Sequence, residues 1–280
     1  MNSSYRKIAF TVSGEVSDVL IALLADLGFE GFEEKTSTVD AYIESADFDE
    51  EALQSRIAMI AHADISYRVS ELPRQNWNKQ WEENYPSVFI DDFCQIVPSF
   101  RQPESGYIHH LIIDPKMSFG TGNHATTRLM IRLMSNYTFL SKKVLDMGCG
   151  TGILGILAIK MGANRVLGID IDEWSKENAK ENARLNQAEK IRFKLGDVSA
   201  IPGENYDVIF ANINRNVLLK DISLYNKHLK PGGHLLLSGF YTADLEKILR
   251  VTMVNGLSPV TKLIEKDWVA HSFTKKENKK

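Results

Sequence analysis

From Val144 onward the chain alternates short apolar runs with amphipathic ones, and this alternation restricts its fold more than any other feature. VLDMG, RVLGIDI, IRFKLGD, DVIFANI and HLLLSGF read as strands, while ILGILAIKMG, SKENAKENARLNQ and VLLKDISLYNKHL read as helices between them. Strands separated by helices need long crossovers and so line up in parallel, covered on both faces. The expected fold class is therefore α/β, a Rossmann-like doubly wound domain with a mostly parallel sheet. A further helix (ADLEKILRVTMVNG) and two alternating strands (VTKLIEKD, WVAHSFT) complete it, and the terminal KKENKK reads as a disordered tail.

Upstream the pattern differs. Residues 5–13 alternate like a half-buried strand, and 17–27 recur with helical period before Gly28. Phe29–Glu34 and Val39–Glu44 read as strands, Asp49–Ala63 as a helix with an acidic start, and Ile65–Leu72 as a closing strand. The order β-α-β-β-α-β is that of the ferredoxin-like split βαβ unit, a small α+β module. Pro73 ends it, and Trp77 and Trp81, four apart, fall on one face of a short connecting helix. Two more strands, FCQIVPSF and YIHHLIID, and a helix from about residue 126 to Tyr137 precede the alternating region. The expected organisation is a substrate-recognition domain at 1–72, a linker at 73–92, a catalytic domain at 93–274 and a tail at 275–280.

The overall charge of −3 conceals an asymmetry. Residues 1–72 carry five Lys/Arg against fourteen Asp/Glu, a balance of −9, so the remainder carries +6. An acidic front module repels phosphate backbones and attracts basic partners, which disfavours direct nucleic-acid binding. The amino terminus lacks the apolar core of a secretory signal, and no window approaches the ~18 consecutive apolar residues of a membrane span. Cys94 and Cys149, far apart and outside any Cys/His cluster, suggest neither a disulfide framework nor a metal site. A soluble, cytoplasmic, monomeric protein with no membrane partner is expected.

The chemistry concentrates where the first alternating strand meets its helix, at Asp146-Met-Gly148-Cys-Gly150-Thr-Gly152. Glycines there permit close backbone approach, and the N–H groups of a helix start can hold an anionic group. A dinucleotide fold would show G-x-G-x-x-G around a pyrophosphate. This chain has G-x-G-x-G preceded by an acid, which opposes a diphosphate but suits the ammonium of an aminoacyl ligand, and so favours S-adenosylmethionine. Asp170, 22 positions after Gly148, has the spacing of a ribose-binding carboxylate, while Asp172 falls where it can cap the next helix. Asp197 ends a strand where an adenine amino group would lie, though it reads almost equally as a turn residue. Asn212 ends another strand, beside the methyl donor and the incoming nucleophile, and the Lys230-Pro-Gly-Gly233 stretch is chiefly a tight turn. The loop from Asp114 to Thr127, containing Phe119, Gly120, Gly122 and three threonines, offers donors for a carboxylate. Thr126 or Thr127 can cap the helix that follows, and His124 reads as a hydrogen-bonded structural residue rather than a base.

In this order and spacing, WNKQWEENY, DPKMSFGTGNHATT, LDMGCGTGILGI, GIDID and ANI resemble the bacterial methyltransferases of large-subunit ribosomal protein eleven. The resemblance spans most of residues 76–240. It implies a ferredoxin-like domain that captures the ribosomal protein, a linker, and a Rossmann-like methyltransferase domain. By matching motif it implies cofactor contacts at Thr127, Gly148, Asp170 and Asn212, and methylation of lysine amines and of an N-terminal α-amine. The family pattern reads DPG, THPTT and NILA where this chain has DPK, NHATT and NINR. No side chain stands out as a dedicated base, and desolvation of the lysine would itself favour the neutral amine. The rival readings are a methyltransferase of RNA or a small molecule, a non-catalytic assembly factor that keeps the pocket, and an NAD-dependent dehydrogenase, which the glycine spacing weakens.

Overall fold

The computed structural model describes residues 5–12, 14–35, 37–60, 65–72, 85–114, 116 and 118–277. The stretch holding Trp77 and Trp81 and the last three residues lie outside them. The chain divides into two compact units, Met1–Tyr85 and Pro86–Lys280.

In the first unit, β1 (Tyr5–Thr11), α1 (Gly14–Asp26), β2 (Gly31–Lys35), β3 (Thr38–Glu44), α2 (Glu50–Ile57) and β4 (Ser66–Leu72) follow the expected order. The sheet runs β2-β3-β1-β4 with every neighbouring pair antiparallel, which is the ferredoxin-like arrangement. Alternation sends Ile8, Phe10, Val39, Ala41 and Ile43 into a core closed by Leu20 and Leu24 of α1 and Leu53 of α2. Asp49 caps α2 by accepting from the Glu51 and Ala52 N–H groups at 2.9 and 3.0 Å. Two of the module's few cations are spent internally: Lys7 and Lys35 both pair with Asp40, at 2.8 and 2.9 Å. They hold the Asp40 carboxyl below its ordinary range.

The second unit opens with a three-stranded sheet of β5 (Val88–Ile90), β6 (Cys94–Val97) and β7 (His109–Ile112). The strand β5 lies in the stretch read as connection. It is only three residues long, too short for an alternating pattern to register. The chain continues through α3 (Ala125–Met134), β8 (Lys143–Met147), α4 (Ile153–Lys160), β9 (Arg165–Asp170), α5 (Glu173–Leu185), β10 (Ile191–Leu195), β11 (Tyr206–Asn212), α6 (Arg215–His228), β12 (Leu229–Tyr241), α7 (Leu245–Val254), β13 (Leu257–Glu265) and β14 (Trp268–Lys275). These strands form one sheet in the order β10-β9-β8-β11-β12-β14-β13. The first five are parallel, and β14 runs antiparallel to both its neighbours. Strand order reverses at β8, so β9 and β11 diverge there and open a crevice at the carboxyl edge.

The sheet separates two apolar layers. Val144, Val166, Phe210 and Leu236 face α3 and α4, while Leu145, Met147, Ile169, Ile209 and Leu237 face α6 and α7. Each large side chain fully buried in these layers stabilises the fold by roughly 1.5–3 kcal/mol. Helix α4 is buried almost all round, from Ile153 to Ala158, which explains why its sequence shows no polar face. Helix α5 packs through a different kind of face, because Asn178, Asn182 and Asn186 are buried on it. Asn186 exchanges hydrogen bonds with the Ile112 backbone at 2.9 and 2.6 Å. Asn182 accepts from Asp114 N–H at 3.1 Å and donates to the Thr151 carbonyl at 3.1 Å. This asparagine row fixes the end of β7 to the turn after β8. No helix among the described residues is long and apolar enough to cross a membrane.

Candidate active site

A cavity of about 440 Å³ opens at the carboxyl edge where the strand order reverses, within the roughly 300–1,000 Å³ usual for small-molecule sites. Its wall includes Phe119, Gly148, Gly150, Asp170, Asp197 and Asn212, so six of the nine residues singled out from sequence converge on one space. Asp146, Gly122 and Thr127 are absent from that wall.

The reason for Asp146 is strand alternation. Met147 points to the α6 side, where the cavity lies, and Asp146 points to the α4 side. Its carboxylate Oδ2 accepts the Gly155 N–H at 3.1 Å, which anchors the first turn of α4. Burial pushes this carboxyl up to about 7, against the pull of the Gly155 N–H, and the nearby Asp170 pushes it further. Asp146 therefore supports the turn from beneath, and the cavity's own carboxylates are Asp170, Asp197 and Asp221. Gly122 is buried against Val88 and Ile96, and Thr127 is buried in the first turn of α3 with its hydroxyl unpartnered.

The glycine turn is occupied differently from the expected anion cradle. The Gly148 and Cys149 N–H groups both donate to the Ile169 carbonyl, at 2.8 and 3.1 Å, and Gly152 N–H donates to the Cys149 carbonyl at 2.8 Å. Gly150 N–H donates to Asp170 Oδ2 at 2.8 Å, and Thr151 N–H to the Phe119 carbonyl at 2.9 Å. All five donors are thus engaged within the protein. The Thr151 hydroxyl donates to the Gly120 carbonyl at 2.7 Å, so the Phe119–Gly120 loop is fastened directly onto the turn. Gly150 makes this possible: its φ is +52°, and any Cβ there would collide with the Phe119 carbonyl.

Asp170 ends β9 with Oδ1 accepting the Asp172 N–H at 3.0 Å, which aims the carboxylate over the turn. Asp172 caps α5 through the Trp174 and Ser175 N–H groups, as its position implied. Asp197 combines both of its readings. Its Oδ1 accepts from Ser199 N–H and hydroxyl at 2.9 and 2.6 Å, which hold it below its ordinary range, and it lines the cavity. Asn212 ends β11 facing the cavity, and its Oδ1 is buried with no hydrogen-bond partner among the described residues. Asn214 caps α6 by accepting from Val217 N–H at 3.2 Å.

The cap of α3 is neither threonine but His124, whose Nδ1 accepts from Thr126 N–H at 3.3 Å and lies 2.8 Å from the Thr126 hydroxyl. Burial and then Arg128 push its pKa down, so the ring is held neutral. Its ring lies 5.2 Å from Phe119 and 4.8 Å from Trp268, and Trp268 in turn lies 4.0 Å from Tyr241. Phe119, His124 and Trp268 line the cavity as an aromatic flank. Trp268 is held there because Glu265, on the same hairpin, pairs with Arg128 and Arg132 of α3. Sequence reasoning passed over Trp268, Asp221 and Tyr225, and read Thr126 only as a candidate helix cap. Only Asp221 left a signal, a carboxylate on the apolar stripe of its helix.

Among the described residues, the wall carries three carboxylates and neither Lys nor Arg. Such a cavity favours a ligand with hydroxyls, amines and positive charge over one with a pyrophosphate. The family model described as "Ribosomal protein L11 methyltransferase (PrmA)" matches residues 16–276. A ribosomal protein L11 methyltransferase of Phocaeicola vulgatus is 39% identical over 279 residues, 97% of this chain and 99% of that protein. Its counterpart in Bacteroides fragilis is 40% identical over 92% of this chain and 94% of its own length. Among solved structures, the crystal structure of ribosomal protein L11 methylase from Lactobacillus delbrueckii subsp. bulgaricus matches with a TM-score of 0.65 at 31% identity. The match covers 69% of this chain and all of that one.

Proposed function

The chain belongs to the ribosomal protein L11 methyltransferase family, and on that premise we propose that it methylates amines of ribosomal protein L11, both lysine side chains and the N-terminal α-amine. It is an S-adenosylmethionine-dependent methyltransferase. The observation that carries the reading of the site is the buried Asn212 Oδ1, unpartnered among the described residues, facing a cavity of carboxylates in which the described wall holds no Lys or Arg. These residues fit the donor. Asp170 has room to accept from ribose hydroxyls, Asp197 from the adenine amino group, and the carboxylates suit the donor's positive charges.

S-adenosylmethionine, when bound, supplies a methyl carbon activated by a sulfonium. The protein's part is to align an amine with that carbon and to keep the amine neutral. Asn212 Oδ1 accepts an N–H of the incoming amine and so points its lone pair into the cavity. The flank of Phe119 and Trp268 excludes water there. Desolvation lowers the pKa of a lysine amine from its ordinary ~10.4, which favours the neutral form. His124 is neutral and its Nδ1 is committed to capping, so it orders the wall and needs no proton. Gly148 and Gly150 shape the floor, while Thr127 and Gly122 act one layer back by ordering the loop that carries Phe119. The acidic first module serves as the substrate-recognition domain and steers the basic ribosomal protein by charge. The protein acts as a monomer in the cytoplasm, with no nucleic acid or membrane partner.

The test is mass spectrometry of ribosomal proteins from cells with and without the gene. Loss of whole methyl groups from L11 alone is expected, and an unchanged L11 refutes the assignment. Label transferred from radioactive donor in an extract should resist ribonuclease; label destroyed by it favours an RNA substrate.

A further inference from the structure

Asp221 stands where the helical period calls for an apolar side chain. The buried residues of α6 are Leu218, Asp221, Ile222 and Tyr225, one stripe at helical spacing. Asp221 is 4% exposed and Tyr225 fully buried, yet among the described residues neither Asp221 Oδ1 nor the Tyr225 hydroxyl has a hydrogen-bond partner. An unpaired polar atom in such a place costs about 1–3 kcal/mol, and more if charged. A buried polar atom left unpaired at a packing position calls for an explanation, and a ligand contact is one.

The surroundings indicate the contact. Both residues line the cavity, together with the apolar side chains of Met147, Ile169, Val198 and Val217 and the carboxylate of Asp197. A space with apolar walls and polar groups at its rim suits a flat ring with apolar faces and hydrogen-bonding edges. Of the donor's parts only the adenine base has that form, since the amino-acid end would bring its own carboxylate among three others. Resting on the reading of the site given above, we infer that Asp221 and Tyr225 form a second polar contact to the adenine base, with the Asp221 carboxyl accepting from its exocyclic amino group and the Tyr225 hydroxyl donating to the adjacent ring nitrogen N1. Burial pushes the Asp221 carboxyl up, Lys220 opposes this and Asp197 adds to it. The Tyr225 hydroxyl, one turn along, lowers it a little without reaching hydrogen-bonding geometry. An N–H donor arriving at this oxygen relieves the burial.

The experiment is calorimetric binding of S-adenosylhomocysteine and of S-inosylhomocysteine, whose base lacks the amino group and carries a proton on N1, to the full chain and to three variants. Asp221→Leu should bind the adenosyl ligand about 10-fold more weakly while its melting temperature holds or rises, because the substitution also removes an unpaired buried carboxylate. Asp221→Asn, which keeps an acceptor oxygen, should retain most of the affinity, and Tyr225→Phe should lose several-fold. The inosyl ligand should bind weakly to all four proteins and distinguish them little. The inference is overturned if Asp221→Leu binds the adenosyl ligand like the parent, or if both ligands lose affinity in equal proportion. Should Asp221→Leu fail to fold, Tyr225→Phe, which removes one oxygen, decides by the same ratio. Failure of the parent protein to bind the adenosyl ligand at all would instead refute the reading of the site.

Discussion

Replacing Asp170 with alanine separates donor binding from folding, because this carboxylate serves both. In the free protein its two oxygens accept the Gly150 and Asp172 N–H groups, at 2.8 and 3.0 Å. Each oxygen keeps a further lone pair, enough to receive two ribose hydroxyls. A hydrogen bond to a charged group contributes about 1.5–3 kcal/mol, so losing two from the complex should cost roughly 3–6 kcal/mol, or about 10²–10⁴ in Kd. The cost to the protein itself is smaller. The site is partly solvated, and both backbone donors can turn to water, so about 1–2 kcal/mol and a fall of roughly 2–8 °C in melting temperature are expected. Calorimetry with S-adenosylhomocysteine measures the first quantity and thermal circular dichroism the second. A variant that melts a few degrees early but binds donor normally would refute the placement of the ribose. One that fails to fold would show that the carboxylate's hold on the glycine turn had been underestimated.

Other outcomes follow from the same geometry. Because burial pushes the Asp146 carboxyl up to about 7 from its ordinary 3.8, the folded protein binds a proton that the unfolded chain releases, and stability should fall as pH rises from about 4 to 7. Asp146→Asn removes that slope, so urea unfolding should show the variant gaining on the parent by up to about 4 kcal/mol at pH 8; a variant weaker than its parent at pH 8 would mean that the Gly155 N–H outweighs the burial of the charge. Gly150→Ala places a methyl against the Phe119 carbonyl at positive φ, costing about 1–3 kcal/mol of strain and detaching the loop; donor affinity should fall, and unaltered binding would show that the loop is dispensable. Association of ribosomal protein L11, followed by stopped-flow, should slow as salt rises from low to physiological strength, and an unchanged rate would count against steering by the acidic module.

Much of this protein was legible before any coordinates. The order of strands and helices followed from periodicity, because a parallel sheet buried on both faces writes continuous apolar runs into the chain. Asp170, Asp197, Asn212, Gly148 and Gly150 were legible for the same reason, since doubly wound sheets bring the carboxyl ends of their strands together. The ends of strands are therefore a sequence-level address. Other features escaped that logic. β5 is too short to leave a pattern, and His124 caps α3 although serine or threonine is the usual choice.

What the chain alone determined is which residues reach the open edge of the sheet, because strand alternation and helix capping are local rules. What only the tertiary structure decided is what those residues do on arrival. Asp146 turned its carboxylate to α4 because adjacent residues of a strand face opposite ways, and the N–H groups of the glycine turn, that of Thr151 included, were taken by Ile169, Asp170, Phe119 and Cys149. Trp268, Asp221 and Tyr225 entered the cavity from 69 to 120 positions beyond the glycine turn at 148–152. Hydrogen-bond partners and burial depend on contacts between segments far apart in the chain, and no local pattern encodes which of two donors reaches an acceptor first.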